Sequence, residues 1–274
     1  MLDSDVVLPE GYLEAVEKSL TSHLSPLTSE IVAFGGPDAA HPSFTPVQKA
    51  ISYSMTSFFT TGGIRGSSPQ SGGARGALDK FYPRSFNMGI RRDVYLQLGG
   101  FTKMRFGEDI DFSYRIVEAG YRPRLFPEAW VWHKRRTDFR KFFRQVYNSG
   151  IARINLEKRH PGTMKLVHLL PTVFTVGVIA LILISAVGRA LMHYVDRDQF
   201  YWMCFAPWIP IILYSLLICI DSTIKNRSLR VGLLSVPAAF VQLMGYGLGF
   251  IESWWKRCVL KQDEFQAFEK TFYK

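Results

Sequence analysis

The chain has 274 residues, a net charge of +10, 47% hydrophobic residues and three cysteines. That length holds one domain of ordinary size and a further segment. Three cysteines without a CxxC spacing exclude an even-numbered disulfide framework, and they read as small buried apolar side chains.

Two carboxylates open the chain, in Asp3-Ser4-Asp5 ahead of Val6-Val7-Leu8. Read as a strand end, alternation puts residues i and i+2 on one face. Two carboxylates there can hold a hard divalent cation and leave positions for phosphate oxygens. An EF-hand count from Asp3 puts Glu14 at the last ligand position, but it places Val7 and Leu8 where an oxygen ligand and a glycine are needed. That motif is rejected.

Pro9 to His23 predicts a helix with Leu13, Val16 and Leu20 on one face. Residues 30–37, EIVAFGGP, predict a short strand closed by a Gly-Gly turn, and residues 46–59 a second helix. Residues 60–80 are rich in Gly and Ser, carry Arg65 and Arg75 and lack periodicity. They read as a loop, either a plain connection or a lid or binding loop. Residues 84–101 predict a strand, a short helix and a stop at Gly99-Gly100. Residues 106–121, FGEDIDFSYRIVEAGY, predict a helix opened by Glu108, Asp109 and Asp111, with Ile110, Tyr114 and Val117 on its buried face. Acids in a first turn complement the helix dipole, and Asp111 with Arg115 makes an i,i+4 pair. The double acid behind Phe106-Gly107 also puts a carboxylate at a cleft edge, where a general base works. Residues 124–136 predict a strand of alternating character that ends at His133. Residues 1–137 thus read as a mixed α/β domain.

The stretch from Trp132 to Lys165 carries ten Lys or Arg and two acids. Residues 138–165 form a basic amphipathic segment suited to a membrane surface. Its position beside apolar runs makes anionic lipid headgroups the expected partner and sets nucleic acid aside; attraction of nucleotide diphosphates is an overlapping second role. Leu166–Gly188, Gln199–Ile220 and Val231–Ile251 contain no charged side chain. Each matches the roughly 20 apolar residues that cross a bilayer core. Three in succession argue against buried helices of a soluble core, and their prolines are tolerable in lipid. Without an Asp, Glu, Lys or Arg in them, an ion path of the transporter kind is a weak reading. No secretory signal pattern opens the sequence, and Lys225, Arg227 and Arg230 lie between the second and third runs. The part before the runs is therefore expected on the cytoplasmic side of the plasma (inner) membrane of a multi-pass protein. Three full crossings would put the tail 255–274 outside, although the chain reads WWKRCVLK there; a re-entrant run is the alternative.

Taken in order, LDSD with PEGYLEA, then NMGIRRDVYLQLGGF, then GEDIDFSYRIVEAGYRPRLFPEAWVWH resemble the second half of a family 2 inverting glycosyltransferase of GT-A fold, over about residues 1–150. The resemblance implies a partial GT-A domain over 1–137, followed by about three transmembrane helices within 166–254. It implies that Asp3 and Asp5 are the D-x-D motif, touching metal and nucleotide-sugar. Asp109 would be the catalytic base, with Glu108 the runner-up, and His133 the third protein ligand of a divalent Mn2+ or Mg2+. Asn87 and Gly89 would line the sugar pocket, and Arg65 is the loop's candidate substrate contact. In the family the D-x-D lies well inside the domain, after the strands that bind the nucleotide base. The chain is therefore expected to be a C-terminal portion whose N-terminal half is missing. The expected activity is that of a membrane-anchored glycosyltransferase (hexosyltransferase type) acting on a glycan or lipid-linked acceptor in cell-envelope polysaccharide biosynthesis. Processive members carry Q/R-x-x-R-W near the membrane helices; here RQVYNSGIAR puts Tyr147-Asn148 in place of Arg-Trp, which favours transfer of single sugars. The alternative reading is a non-catalytic membrane scaffold or partner subunit with an incomplete transferase domain.

Overall fold

The computed structural model describes residues 1–22, 31–62, 81–104, 106–190, 202 and 204–268. The described strands are β1 (Val6–Val7), β2 (Ala33–Gly35), β3 (Asp38–Ala39), β4 (Met88–Ile90), β5 (Arg124–Leu125) and β6 (Val131–His133). The described α-helices are α1 (Tyr12–Ser22), α2 (Pro46–Thr56), α3 (Phe58–Thr61), α4 (Arg92–Gln97) and α5 (Glu108–Glu118). They continue with α6 (Phe139–Arg159), α7 (Leu170–Ala190), α8 (Ile209–Asn226) and α9 (Leu229–Trp254). The chain divides into a first unit of Met1–Phe44, Met55–Arg136 and Ala152–Met164, and a second of Thr45–Ser54, Thr137–Ile151 and Lys165–Lys274.

In the first unit, β6 is the middle strand of a three-stranded sheet with order β1-β6-β3. β1 runs antiparallel to it, with Val6 opposite His133. β3 runs parallel to it, with Asp38 opposite Val131. The second sheet has order β4-β2-β5; Phe34 faces Gly89 across an antiparallel pair and Arg124 across a parallel one. The single strand predicted over 124–136 is therefore two strands in two sheets. Pro127 has no N–H for a ladder, and the chain turns there, with the Ala129 N–H donating to the Phe126 carbonyl. Phe126 and Ala129 pack with Tyr12 and Val131, and with Val6 and Val16, into a core beside β1 and β6.

Helix α5 is held by Phe112 and Ile116, both fully buried, against Ala33 of β2 and Met88 of β4. Tyr114 is buried in a neighbouring cluster with Met104, Ala152 and Leu156, while Val117 is exposed. The predicted face thus shifts by one residue at its end, because the helix packs on two sides. Thr102, Arg115 and His160 converge on the buried Asp111 carboxylate, and the Arg115 guanidinium also donates to the carbonyls of Leu98 and Gly100. Asp111 is thereby a structural staple of the helix.

Among its described residues, the second unit contains three helices long and apolar enough to cross a membrane: Leu166–Arg189, Ala206–Asn226 and Leu229–Val259. At 1.5 Å per residue they span about 32 to 47 Å, against about 30 Å of hydrocarbon. Small residues let them meet closely, as in membrane helix packing. Gly232 of α9 lies against the Cys219 carbonyl and Thr223 of α8, and Gly247 against Pro171 and Thr175 of α7. Gly249 lies against the Tyr147 carbonyl of α6. The basic segment folds as α6, and its stretch from Gly150 to Leu156 is buried. Tyr147 donates to Glu252 at 2.5 Å. Asn148 donates to the Ala267 carbonyl and accepts from the Ala267 N–H at 3.2 and 3.0 Å, tying residue 267 back onto α6.

Candidate active site

The β1-β6-β3 sheet assembles three acidic groups around one imidazole. His133 ends the middle strand. The backbone of Asp5 joins the antiparallel edge, its carbonyl accepting from the Lys134 N–H at 3.0 Å. Asp3 and Asp5 lie in a turn just ahead of β1, where the Val6 N–H donates to the Asp3 carbonyl at 3.3 Å. Their convergence comes from this turn and not from strand alternation. One oxygen of each carboxylate and a ring nitrogen of His133 all lie within 4.8 Å of one another. His133 Nε2 stands 3.4 Å from Asp5 Oδ1. The Phe86 ring stacks on the imidazole, centroids 4.9 Å apart.

Electrostatics separate the two carboxylates. Burial and the like charge of Asp5 push the Asp3 pKa up. The His133 hydrogen bond holds the Asp5 pKa down, against the effect of burial. Burial alone would lower the His133 pKa, but the carboxylates of Asp38 and Asp5 outweigh it and raise it. Two carboxylates and an imidazole are a donor set that suits Mn2+ or Mg2+, and Asp3, Asp5 and His133 are the residues that could hold it.

Helix α5 points its first turn at the same region. Gly107 adopts φ +85°, a left-handed conformation that favours glycine, and Glu108 and Asp109 follow it directly. Asp109 is buried and paired with Arg84 Nε at 2.8 Å. Ser85 joins the two halves of the site: its N–H donates to Asp109 Oδ2 at 3.4 Å and its hydroxyl to Asp3 Oδ2 at 3.3 Å. Burial, with the nearby charges of Asp109 and Asp3, pushes the Glu108 pKa up to about 7.

Asn87 and Gly89 have contacts of their own. Asn87 is buried with its amide engaged at both ends, accepting from the Tyr12 hydroxyl and donating to the Ala129 carbonyl, each at 2.7 Å. Gly89 leaves its side-chain space to the Phe34 ring. Arg65, with the rest of residues 63–80, lies outside the described residues. Three neighbours escaped the sequence reading: Arg84 and Ser85, which precede the strand carrying Met88, and Asp38, an acid directly behind Gly35-Gly36-Pro37.

A family model described as "Glycosyl transferase family group 2" matches residues 80–219, just over half of the chain. The chain belongs to glycosyl transferase family group 2. Its matched stretch includes Arg84, Ser85, Glu108, Asp109 and His133; Asp3 and Asp5 lie before it. The chain is also similar to the pre-mycofactocin glycosyltransferase of Mycobacterium tuberculosis (strain CDC 1551 / Oshkosh), 31% identical over 102 residues, which are 37% of this chain and 21% of that protein. A second relative is the probable glycosyltransferase YdaM of Bacillus subtilis (strain 168), 32% identical over 59 residues, 22% of this chain and 14% of that protein. The chain thus spans about a fifth or less of the length of these relatives.

Proposed function

We propose that this chain is the membrane-anchored, metal-dependent portion of an inverting glycosyltransferase. It moves one sugar from a nucleotide-sugar to a glycan or lipid-linked acceptor at the cytoplasmic face of the plasma membrane, in cell-envelope polysaccharide biosynthesis. The observation that carries the reading is the convergence of Asp3, Asp5 and His133 beside the Glu108-Asp109 helix start, with Ser85 hydrogen-bonded to both Asp3 and Asp109.

Asp3, Asp5 and His133 hold the cation in this reading, and the bound cation supplies Lewis-acid stabilisation for the departing diphosphate. Asp109 takes the proton of the acceptor hydroxyl as that oxygen attacks the anomeric carbon from the face opposite the leaving group. Arg84 and the Ser85 N–H fix the Asp109 carboxylate for that task, as pre-organised geometry requires. Glu108 is the neighbouring carboxyl, held partly protonated at neutral pH. In this reading the three apolar helices anchor the chain in the membrane, at whose surface a lipid-linked acceptor is presented.

The test is transfer from radiolabelled uridine-, guanosine- and thymidine-diphosphate sugars in membranes carrying the full chain. The expected result is label in the organic-extractable fraction from one donor, with product NMR giving an anomeric configuration inverted from the donor's. Retained configuration, or no transfer from any donor, would overturn the reading.

A further inference from the structure

Asp38 shares the β1-β6-β3 sheet with the cluster but is not one of its three ligand candidates. It sits on β3 opposite Val131, two residues before His133 along β6, and so on the same face of that strand. Its Oδ2 faces His133 Nδ1 at 3.6 Å. Nδ1 is buried and has no hydrogen-bond partner among the described residues, 3.6 Å being longer than an ordinary hydrogen bond. The same Oδ2 is clasped by the buried guanidinium of Arg135 at 2.5 Å. The other ring nitrogen, Nε2, faces Asp5.

A neutral imidazole offers one lone pair and one N–H. A ligating histidine usually turns its second N–H toward a carboxylate, which fixes the tautomer and the ring orientation. We propose that Asp38, itself anchored by Arg135, is the positioning residue that accepts the Nδ1–H of His133 once a cation is bound and so presents the Nε2 lone pair to a divalent cation held with Asp3 and Asp5. Phe86, stacked on the ring, restrains the same orientation from the face. This inference rests on the metal-dependent reading above and adds a fourth residue to it, one that does not touch the cation.

The experiment is Mn2+ binding to the full chain in detergent, read by the EPR signal of free Mn2+ and by the nitrogen coupling of the bound ion, with no turnover involved. Asp38→Ala is expected to raise the Mn2+ Kd by about 10- to 100-fold and to weaken the nitrogen coupling. In a His133→Ala background the same change is expected to add nothing, because a positioning residue acts only through the residue it positions. Asp38→Ala with Arg135→Leu is expected to stay weak; restoration of wild-type affinity there would mean that Asp38 only neutralises Arg135, and would overturn the proposal. So would an Asp38→Ala Kd within about twofold of wild type while His133→Ala weakens binding, which leaves the metal site standing and removes Asp38 from it. A wild-type chain that binds no Mn2+ would overturn the metal reading and this proposal together. If Asp38→Ala alone lowers the melting temperature so far that no folded chain is recovered, the variant with Arg135→Leu, which leaves no buried guanidinium behind, is read by the same criteria.

Discussion

Asp5 Oδ1 lies 3.4 Å from His133 Nε2, brought there by the antiparallel pairing of β1 with β6. Neither side chain is part of the sheet core, which is built from Val6, Phe126, Ala129 and Val131. Replacing His133 by Ala therefore removes one ligand and leaves that core in place. The expected outcome is a fall in kcat/KM for the nucleotide-sugar of about 100- to 1000-fold, as for loss of several kcal/mol of charge stabilisation. Steady-state kinetics at saturating Mn2+ checks it, and an unchanged kcat/KM would remove His133 from the site.

Asp109 carries the proton transfer in this account. Asp109→Asn keeps the shape of the side chain and its contact with Arg84 but removes the base. Loss of a general base costs typically about 100- to 10,000-fold, and that fall is expected in kcat, with the Mn2+ Kd unmoved. Glu108→Gln is expected to cost far less. Equal losses from the two variants would mean that the pair acts as one unit and that the assignment to Asp109 is wrong.

Glu108 gives a pH signature in stability. Its folded pKa of about 7 stands above the ordinary 4.5, so the folded chain keeps a proton that the unfolded chain releases between those values. The stability that this contributes is complete below pH 4.5 and is lost as pH rises through 7. Glu108→Gln, which never ionises, is expected to melt at the same temperature as wild type near pH 4.5 and above it at pH 8. Thermal melts in EDTA across that range provide the check; a difference that does not change with pH would contradict the burial of the charge.

Asn87 is expected to be a stability residue. It bonds Tyr12 and Ala129, and both partners are buried. Asn87→Ala strands one hydroxyl and one carbonyl, each costing about 1–3 kcal/mol. The chain should lose about 2–6 kcal/mol of stability, read as a lower melting temperature. Wild-type stability combined with a raised donor KM would instead return Asn87 to the sugar pocket.

Much of this site is legible in the sequence, for local reasons. Asp3 with Asp5, and Glu108 with Asp109, are short-range patterns whose chemistry depends on adjacency. His133 stands out because it ends an apolar strand. The apolar runs show their length directly, and the three long helices follow them. Asp38 is not legible in the same way. Its significance lies in the parallel pairing of β3 with β6, a long-range contact that leaves no spacing signal. Arg84 and Ser85 are hidden for the same reason, since they matter only once α5 packs on β4 through Phe112 and Met88. The split of 124–136 into β5 and β6 was signalled by Pro127, against an alternation that favours one continuous strand. Asn87, for its part, fits a pocket by motif and a core by burial, and only the hydrogen bonds to Tyr12 and Ala129 give it a structural task.

The central claim is that Asp3, Asp5 and His133 make sugar transfer depend on a divalent cation. The most direct measurement is the initial rate of transfer by the full chain after EDTA treatment, and again after Mn2+ or Mg2+ is returned in excess. The account predicts that the rate falls to background in EDTA and recovers on adding either ion, with no recovery in Asp5→Asn. Undiminished transfer in EDTA would contradict it.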